Sequence, residues 1–324
     1  MPTAREAAQP STTHQPVLLR EAIEGLAVRS GGRYIDATLG GGGHAEAVLT
    51  ASSPDGRLLG IDADASAIER TRVRLAAFGD RLSVFHGSNA RIAEAATTAG
   101  LDHSEGILFD LGLSSDQLVD RERGFGIRAG GPLDLRFDTT RGEPAAALLA
   151  HLSVSELAGL LRRFGEEPQA NKIARAIVAR RAESPVTTAE ELATLVEEVA
   201  TRPGRPTRIH PATRVFQALR IAVNGELDAL ATALEASIRL LAVGGRIVVL
   251  SYHSLEDRIV KRTFAAAARG CICPPRLPLC GCGKKPTLRL VTDAPIVASD
   301  DEVAMNPRSR SAKLRVAERL AGAA

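Results

Sequence analysis

Three aspartates stand where an α/β chain places its chemistry. Asp36 lies in the apolar run that holds Tyr34 and Ile35, Asp62 follows Arg57 to Ile61, and Asp110 follows Gly106-Ile107-Leu108-Phe109. Between the first two lie four consecutive glycines, Gly40 to Gly43, and then His44-Ala45-Glu46-Ala47-Val48-Leu49, which begins a helical pattern. Strand, glycine turn, helix, strand, acid is the βαβ unit of a nucleotide-type site. Glycine allows positive φ and a close approach of backbone to ligand, and the acid at Asp62 can accept hydrogen bonds from both hydroxyls of a ribose.

Gly40-x-Gly42-x-x-Ala45, with Asp62 about 20 residues on, formally fits the dinucleotide fingerprint. Asp36 argues for a different ligand. A carboxylate ahead of the glycines repels a pyrophosphate but suits a cation, and S-adenosylmethionine carries an ammonium and a sulfonium and no phosphate. Asp110-Leu111-Gly112-Leu113-Ser114-Ser115 adds a polar cluster at the carboxyl end of a further strand, the edge where such sheets bind ligands. Asn89 follows the strand Leu82–Gly87 and reads either as an adenine contact or as part of a helix N-cap. Tyr252 and His253 follow the strand Ile247–Leu250. Tyr252 can stack on a base or pack beneath the sheet edge.

The four cysteines fall within twelve residues, as Cys271-x-Cys273 and Cys280-x-Cys282. They read either as a four-thiolate Zn²⁺ knuckle or as a reduced, loop-borne set. The metal question stays open at this level.

The elements that position these groups follow from the chain in order. Its 324 residues are 44% hydrophobic and 24% charged, enough for one large domain or two ordinary ones. No apolar run is long enough to span a bilayer and residues 1–13 have no signal-peptide core, so a disordered tail and a cytoplasmic location are expected. The net charge of +3 and 3% aromatic content permit nucleic acid binding only through local clusters. A helix is expected near Glu21–Leu26, with Val17, Leu18, Ile23 and Leu26 packing, and an amphipathic one over Ala63–Phe78, with Ile68, Val73 and Leu75 on its apolar side. Strand patterns stop at Ser115. A polar loop runs to Asp138 and, from Arg123, looks like a lid or substrate loop. Helices follow to about Asn224, two of them opened by the capping boxes Ser153…Glu156 and Thr188…Glu191. The strand pattern returns after a helix at Gly225–Ala242, and Thr287–Val291 and Ala312–Val316 read as a closing antiparallel ribbon. Residues 14–114 and 225–324 are thus expected to form one discontinuous domain, with 115–224 inserted as a helical, substrate-recognising one. Arg205, Arg208, His210, Arg214 and Arg220 form one basic run, Arg258, Lys261 and Arg262 another, and Lys284 and Lys285 a third, all open to phosphate contact.

Six ordered blocks carry a resemblance: H-Q-P-V-L-L at 14–19, G-G-G-H at 41–44, G-I-L-F-D-L-G-L-S-S-D-Q-L at 106–118, R-G-F-G-I-R-A-G-G-P-L-D-L-R-F-D at 123–138, H-P-A-T-R-V-F-Q-A-L-R-I-A-V-N at 210–224 and S-Y-H-S-L-E-D-R-I-V-K at 251–261. From His14 to about Leu320 the chain resembles the bacterial ribosomal RNA small subunit methyltransferase H (MraW) family of 16S rRNA cytosine-N4-methyltransferases. The resemblance implies a class I S-adenosylmethionine-dependent methyltransferase: a Rossmann-like, mostly parallel sheet with an antiparallel terminal strand and a helical insertion. It implies cofactor contacts from Gly42, Gly43, His44, Asp62, Asn89, Asp110 and Gln117, and a cytidine of the decoding region of 16S rRNA as substrate. Naked rRNA, a 30S subunit and an assembly intermediate are all open as the substrate's form, and the modest basic patches favour the 30S subunit or a late assembly intermediate. Relatives often carry Phe where Tyr252 stands, and many lack the cysteine segment.

A cytosine amino group is a poor nucleophile, because its lone pair is delocalised into the ring. Asp110 is the candidate acceptor for one of its N–H groups, and Tyr252 the candidate platform for the flipped base. Three other readings compete. A DNA amino-methyltransferase typically follows its strand acid with Pro-Pro-aromatic, where this chain has Leu-Gly-Leu. An NAD-dependent oxidoreductase lacks its hydride-transfer residues here. A zinc-stabilised RNA-binding module leaves the acid-tipped strands unexplained.

Overall fold

The computed structural model describes residues 16–128, 130–200, 210–271, 273 and 281–321. The expected tail, His14, Arg205, Arg208 and Cys280 lie outside the described residues. Among these, seven strands form one sheet: β1 (Arg33–Asp36), β2 (Arg57–Asp62), β3 (Leu82–His86), β4 (Ser104–Asp110), β5 (Leu241–Ser251), β6 (Leu288–Leu290) and β7 (Lys313–Arg319). Their order is β3-β2-β1-β4-β5-β7-β6. The first five are parallel, β7 runs antiparallel to β5, and β6 antiparallel to β7. This is the mostly parallel, Rossmann-like sheet with an antiparallel finish that the sequence leads one to expect.

The central strands are apolar without a break because helices cover both faces of the sheet. Side chains alternate with the pleat. Ile35, Ile61, Ile107, Phe109 and Val249 pack on one side against Leu230, Leu234, Val260 and Phe264, which come from helices Glu226–Leu240 and Ser254–Ala268. Tyr34, Leu58, Leu108, Val248 and Leu250 pack on the other against Leu18, Leu26, Val48 and Leu49. Strand order reverses between β1 and β4, so the crevice beyond their carboxyl ends is the switch point of the sheet. Asp36 and Asp110 end those two strands.

A second core lies between β4 and β5 in sequence. Helices Val154–Gly165, Ala170–Glu183, Ala189–Ala200 and Thr213–Asn224 enclose Leu161, Ile173, Ile177, Leu192, Val215 and Leu219. Both expected capping boxes form. Glu156 accepts from Ser153 N at 2.8 Å while Ser153 Oγ accepts from Glu156 N, and Thr188 and Glu191 make the same exchange.

Several expectations are refined or corrected. The helix after Asp62 spans only Ala65–Arg74, capped by Asp64, and a 3₁₀ segment at Ala76–Arg81 replaces its last turn. Val73 is 72% exposed, so of the three expected residues only Ile68 and Leu75 face the core, joined by Ala67. The polar loop after Asp110 starts with a short helix, Ser115–Val119, opened by a reciprocal Ser114–Gln117 cap, a pattern the sequence displays. The segment Arg123–Asp138 is ordered, lines the cavity and packs into the second core. Phe125, Leu133 and Leu135 are buried in the second core, the Phe125 and Phe137 rings stack at 5.6 Å, and the Arg123 guanidinium donates to the carbonyls of Arg136 and Phe137. Lastly, Arg220 is no surface cation: it is buried and bonded through two nitrogens to Glu226 at 2.7 and 2.8 Å.

Candidate active site

The glycine turn is locked by the acid that faces it. Asp62 Oδ2 accepts from Gly40 N at 2.7 Å, and Oδ1 from Asp64 N at 2.8 Å. Thr71 Oγ1 donates to Gly40 O at 2.8 Å from behind. Gly42 sits at φ +76°, where a Cβ would lie 2.6 Å from Thr71 Cγ2, and a Cβ on Gly43 would lie 2.4 Å from Pro16 Cγ. The turn is therefore fixed on its protein side. Gly42→Ala combines a left-handed backbone, costing about 1–2 kcal/mol, with that clash. It is expected to cost about 2–3 kcal/mol of stability, read by urea unfolding. An unchanged midpoint would show the turn to be pliable.

Helix Gly43–Ala51 leaves the turn and carries His44 into the interior, 5% exposed. Its Nε2 stands 3.5 Å from Asp110 Oδ2, too long for a good hydrogen bond, and neither ring nitrogen makes a hydrogen bond among the described residues. Burial pushes the imidazole pKa down, but the carboxylates of Asp110 and Asp36 outweigh this and hold it above its usual value. Burial pushes Asp36 up to about 7 and Asp62 up to about 6.

Asp110 is held from three directions. Its backbone N donates to Thr38 Oγ1 at 2.6 Å, and the Thr38 N in turn donates to Asp36 Oδ1 at 3.1 Å. The Tyr252 hydroxyl donates to Asp110 Oδ1 at 2.7 Å. Oδ2 is left facing His44. The Tyr252 ring packs on Gly112, at φ +102°, where a Cβ would approach Tyr252 Cδ2 to 3.3 Å. Burial and the Asp110 carboxylate push the Tyr252 phenol well above its ordinary pKa. Tyr252 thus braces Asp110 as well as lining the cavity.

A buried ionic set anchors that brace. Glu256 Oε2 accepts from Tyr252 N at 2.8 Å and His253 N at 3.2 Å, and Glu256 Oε1 lies 3.1 Å from His253 Nε2 and 4.0 Å from Arg220. Burial opposes the Glu256 charge, yet His253 and Arg220 hold its carboxyl below the usual range. Glu226, Glu256 and Asp64 escaped the sequence reading. The caps His253-x-x-Glu256 and Asp64-x-Ser66 were the only local signals for the last two.

Gln117 spans two elements, its Oε1 accepting from Ser114 N and its Nε2 donating to Asp64 Oδ2 at 3.0 Å. Of the two readings of Asn89, the capping role falls to its neighbour, since Ser88 Oγ accepts from Ala90 N. Gly42, Gly43, His44, Asp62, Asn89, Asp110, Gln117 and Tyr252 all line one cavity of about 1050 Å³. That is the upper end of the range for ligand pockets, roughly 300–1,000 Å³. The opposite wall comes from the second core, with Phe137, Phe216, Gln217 and Asn224.

Residues 11–320 match the model of the MraW methylase family. The chain belongs to this family. It is 55% identical to the ribosomal RNA small subunit methyltransferase H of Thermomicrobium roseum, over 96% of this chain and 95% of that protein. It is 51% identical to the protein of that name from Trichlorobacter lovleyi, over 95% and 98%, and 48% identical to the one from Symbiobacterium thermophilum, over 95% and 96%. The methylase cofactor, S-adenosylmethionine, fits the donor set of the glycine-side wall. Asp36 offers an anionic group to the cofactor's cationic groups, Asp62 keeps lone pairs for ribose hydroxyls, and glycines admit the ligand to the backbone. No helix among the described residues is long and apolar enough to cross a membrane.

Proposed function

We propose that this protein transfers a methyl group from S-adenosylmethionine to N4 of a cytidine in the decoding region of 16S rRNA. The observation that carries this reading is one cavity joining the acid-tipped ends of β1, β2 and β4 to Tyr252 and the second core, in a chain of the MraW methylase family. The relatives are small-subunit ribosomal RNA methyltransferases by name, which points to that RNA as the substrate. Nothing in the site favours the DNA amino-methyltransferase reading, and the anionic glycine-side wall disfavours a dinucleotide.

The cofactor supplies a methyl already activated on its sulfonium. The chain's own task is to align it with the nitrogen and exclude water. In this reading Gly42, Gly43, His44, Asp62, Asn89 and Gln117 shape the cofactor side, Gln117 through its bridge to Asp64. Asp110 accepts an N–H of the cytosine amino group, favouring the pyramidal, nucleophilic nitrogen. Tyr252, bonded to Asp110 Oδ1, fixes that carboxylate while its ring offers a stacking face. The helical insertion, 115–224, guides the RNA to the catalytic domain formed by 14–114 and 225–324. The modest surface charge suits an assembled 30S particle or late intermediate in the cytoplasm. The test is transfer of labelled methyl to 30S subunits lacking N4-methylcytidine, followed by nucleoside analysis. Label in N4-methylcytidine is expected, and label in DNA, or none at all, overturns the reading.

The site also sets a pH dependence. Asp36, at about 7, and Asp62, at about 6, titrate above their unfolded value of 3.8. Their stabilisation is therefore complete below about pH 4 and is lost as pH rises through 6 to 7. The raised His44 has the same sign. Deprotonation at the same time favours a cationic ligand. The ligand-free protein is expected to lose melting temperature between pH 5 and 8 while its affinity for S-adenosylmethionine rises, and Asp36→Asn should flatten both trends. Calorimetry across that range checks it, and an affinity independent of pH would rule the carboxylates out.

A further inference from the structure

Cys271, Cys273 and Cys282 lie on the segment between helix Ser254–Ala268 and β6, outside the cavity just described. Their three Sγ atoms fall within 4.8 Å of one another, and the Cys271 and Cys282 sulfurs are 3.8 Å apart. That separation is far too long for a disulfide, about 2.05 Å. It is the edge expected of a tetrahedron of thiolates around Zn²⁺, since a Zn–S bond of ~2.3 Å puts sulfurs ~3.8 Å apart. The two-residue spacing of Cys271 and Cys273 is tight, yet both sulfurs lie in the same cluster. The Cys273 N–H also donates to Cys271 Sγ at 3.3 Å. Such an N–H···S contact orients a ligating sulfur, as second-shell groups do at metal sites.

Two further features agree. The segment is tied back onto the preceding helix: Thr287 N donates to Ala267 O at 2.8 Å and Lys284 Nζ to Ala266 O at 3.2 Å. The residues that follow Cys282 are therefore held against the end of that helix, close to where the chain enters the cysteine segment. Between Asp257 and Asp293 the sequence has eight Lys or Arg and no Asp or Glu. The stretch itself supplies no carboxylate to a divalent cation, so its anionic donors are the thiolates, and a thiolate–metal centre would offset its positive charge.

We propose that Cys271, Cys273 and Cys282 form a site for a thiophilic divalent metal, zinc being the natural occupant, which fixes this basic segment in one conformation. Water or a further chain donor completes the tetrahedron. The proposal does not rest on the methyl-transfer reading. The full-length protein, purified without chelator, is to be analysed for metal by mass spectrometry, then stripped and titrated with Co²⁺. About one zinc per chain and a thiolate-to-cobalt charge-transfer band are expected. Cys271→Ser and Cys282→Ser should each abolish both and still bind S-adenosylmethionine, which shows that the rest of the fold is intact. Wild-type protein that takes up neither metal, zinc retained by both serine variants, or cysteines recovered as a disulfide would each overturn the proposal.

Discussion

Asp110→Asn is expected to lower turnover about 10²–10³-fold, the usual worth of a positioned proton acceptor, with a much smaller loss of cofactor affinity. The substitution is close to isosteric, and Asn still accepts the Tyr252 hydroxyl at the position Oδ1 holds, 2.7 Å away. The brace between β4 and β5 therefore survives. The lost feature is the anionic oxygen, Oδ2, which faces His44 rather than any donor closer than 3.5 Å. An amide nitrogen there offers a proton where the amino group needs an acceptor. Tyr252→Phe should act through the same carboxylate more weakly. Loss of one hydrogen bond to a charged group, about 1.5–3 kcal/mol, corresponds to roughly 10–100-fold in turnover if it is felt in full, and the ring remains for stacking. Binding by calorimetry and single-turnover methyl transfer separate the two effects. If affinity and turnover fall by equal factors in Asp110→Asn, Asp110 holds the cofactor and has no separate chemical role.

The glycine-side wall was legible because its parts are local in sequence. Tyr34 and Ile35, the glycines and Asp62 fall within thirty residues, and each signals by type and spacing which element it belongs to. Asp110 was legible for the same reason, as an acid ending an apolar run. The opposite wall was not. Arg220 sits in a helix among other basic residues, and spacing alone cannot distinguish a solvated arginine from one buried against Glu226 and Glu256. Glu256 reaches Arg220 across 36 positions, and Tyr252 reaches Asp110 across 142. Such pairings exist only once β5 lies beside β4. The segment Arg123–Asp138 reads as an ordered loop from its glycines and charges, but its composition does not show that Phe125, Leu133 and Leu135 bury themselves in the second core.

The buried ionic set should be the most sensitive point in the fold away from the cavity floor. Arg220→Met keeps the apolar stem but removes the charge that faces two buried carboxylates, Glu226 at 2.7 Å and Glu256 at 4.0 Å. Removing one partner of a buried pair costs about 3–5 kcal/mol, because the other partner stays behind uncompensated. That is a large share of a typical stability of about 5–15 kcal/mol. Burial already holds Glu226 above its usual pKa even with Arg220 beside it. In the variant its folded-state pKa rises further, so the stability deficit should be greatest at neutral pH and shrink as acid protonates the orphaned carboxyls. Glu226→Gln combined with Arg220→Met should recover part of the loss, as expected for residues in one network. The damage should also reach the chemistry. Glu256 holds the backbone N of Tyr252 at 2.8 Å, and Tyr252 holds Asp110. A loosened Glu256 therefore reduces turnover even under conditions where the variant is fully folded. Urea unfolding at pH 5 and pH 7.5, paired with methyl-transfer rates, checks both parts. A deficit independent of pH would mean that Arg220 acts by packing alone, and unchanged turnover would mean that the brace on Tyr252 does not need the arginine.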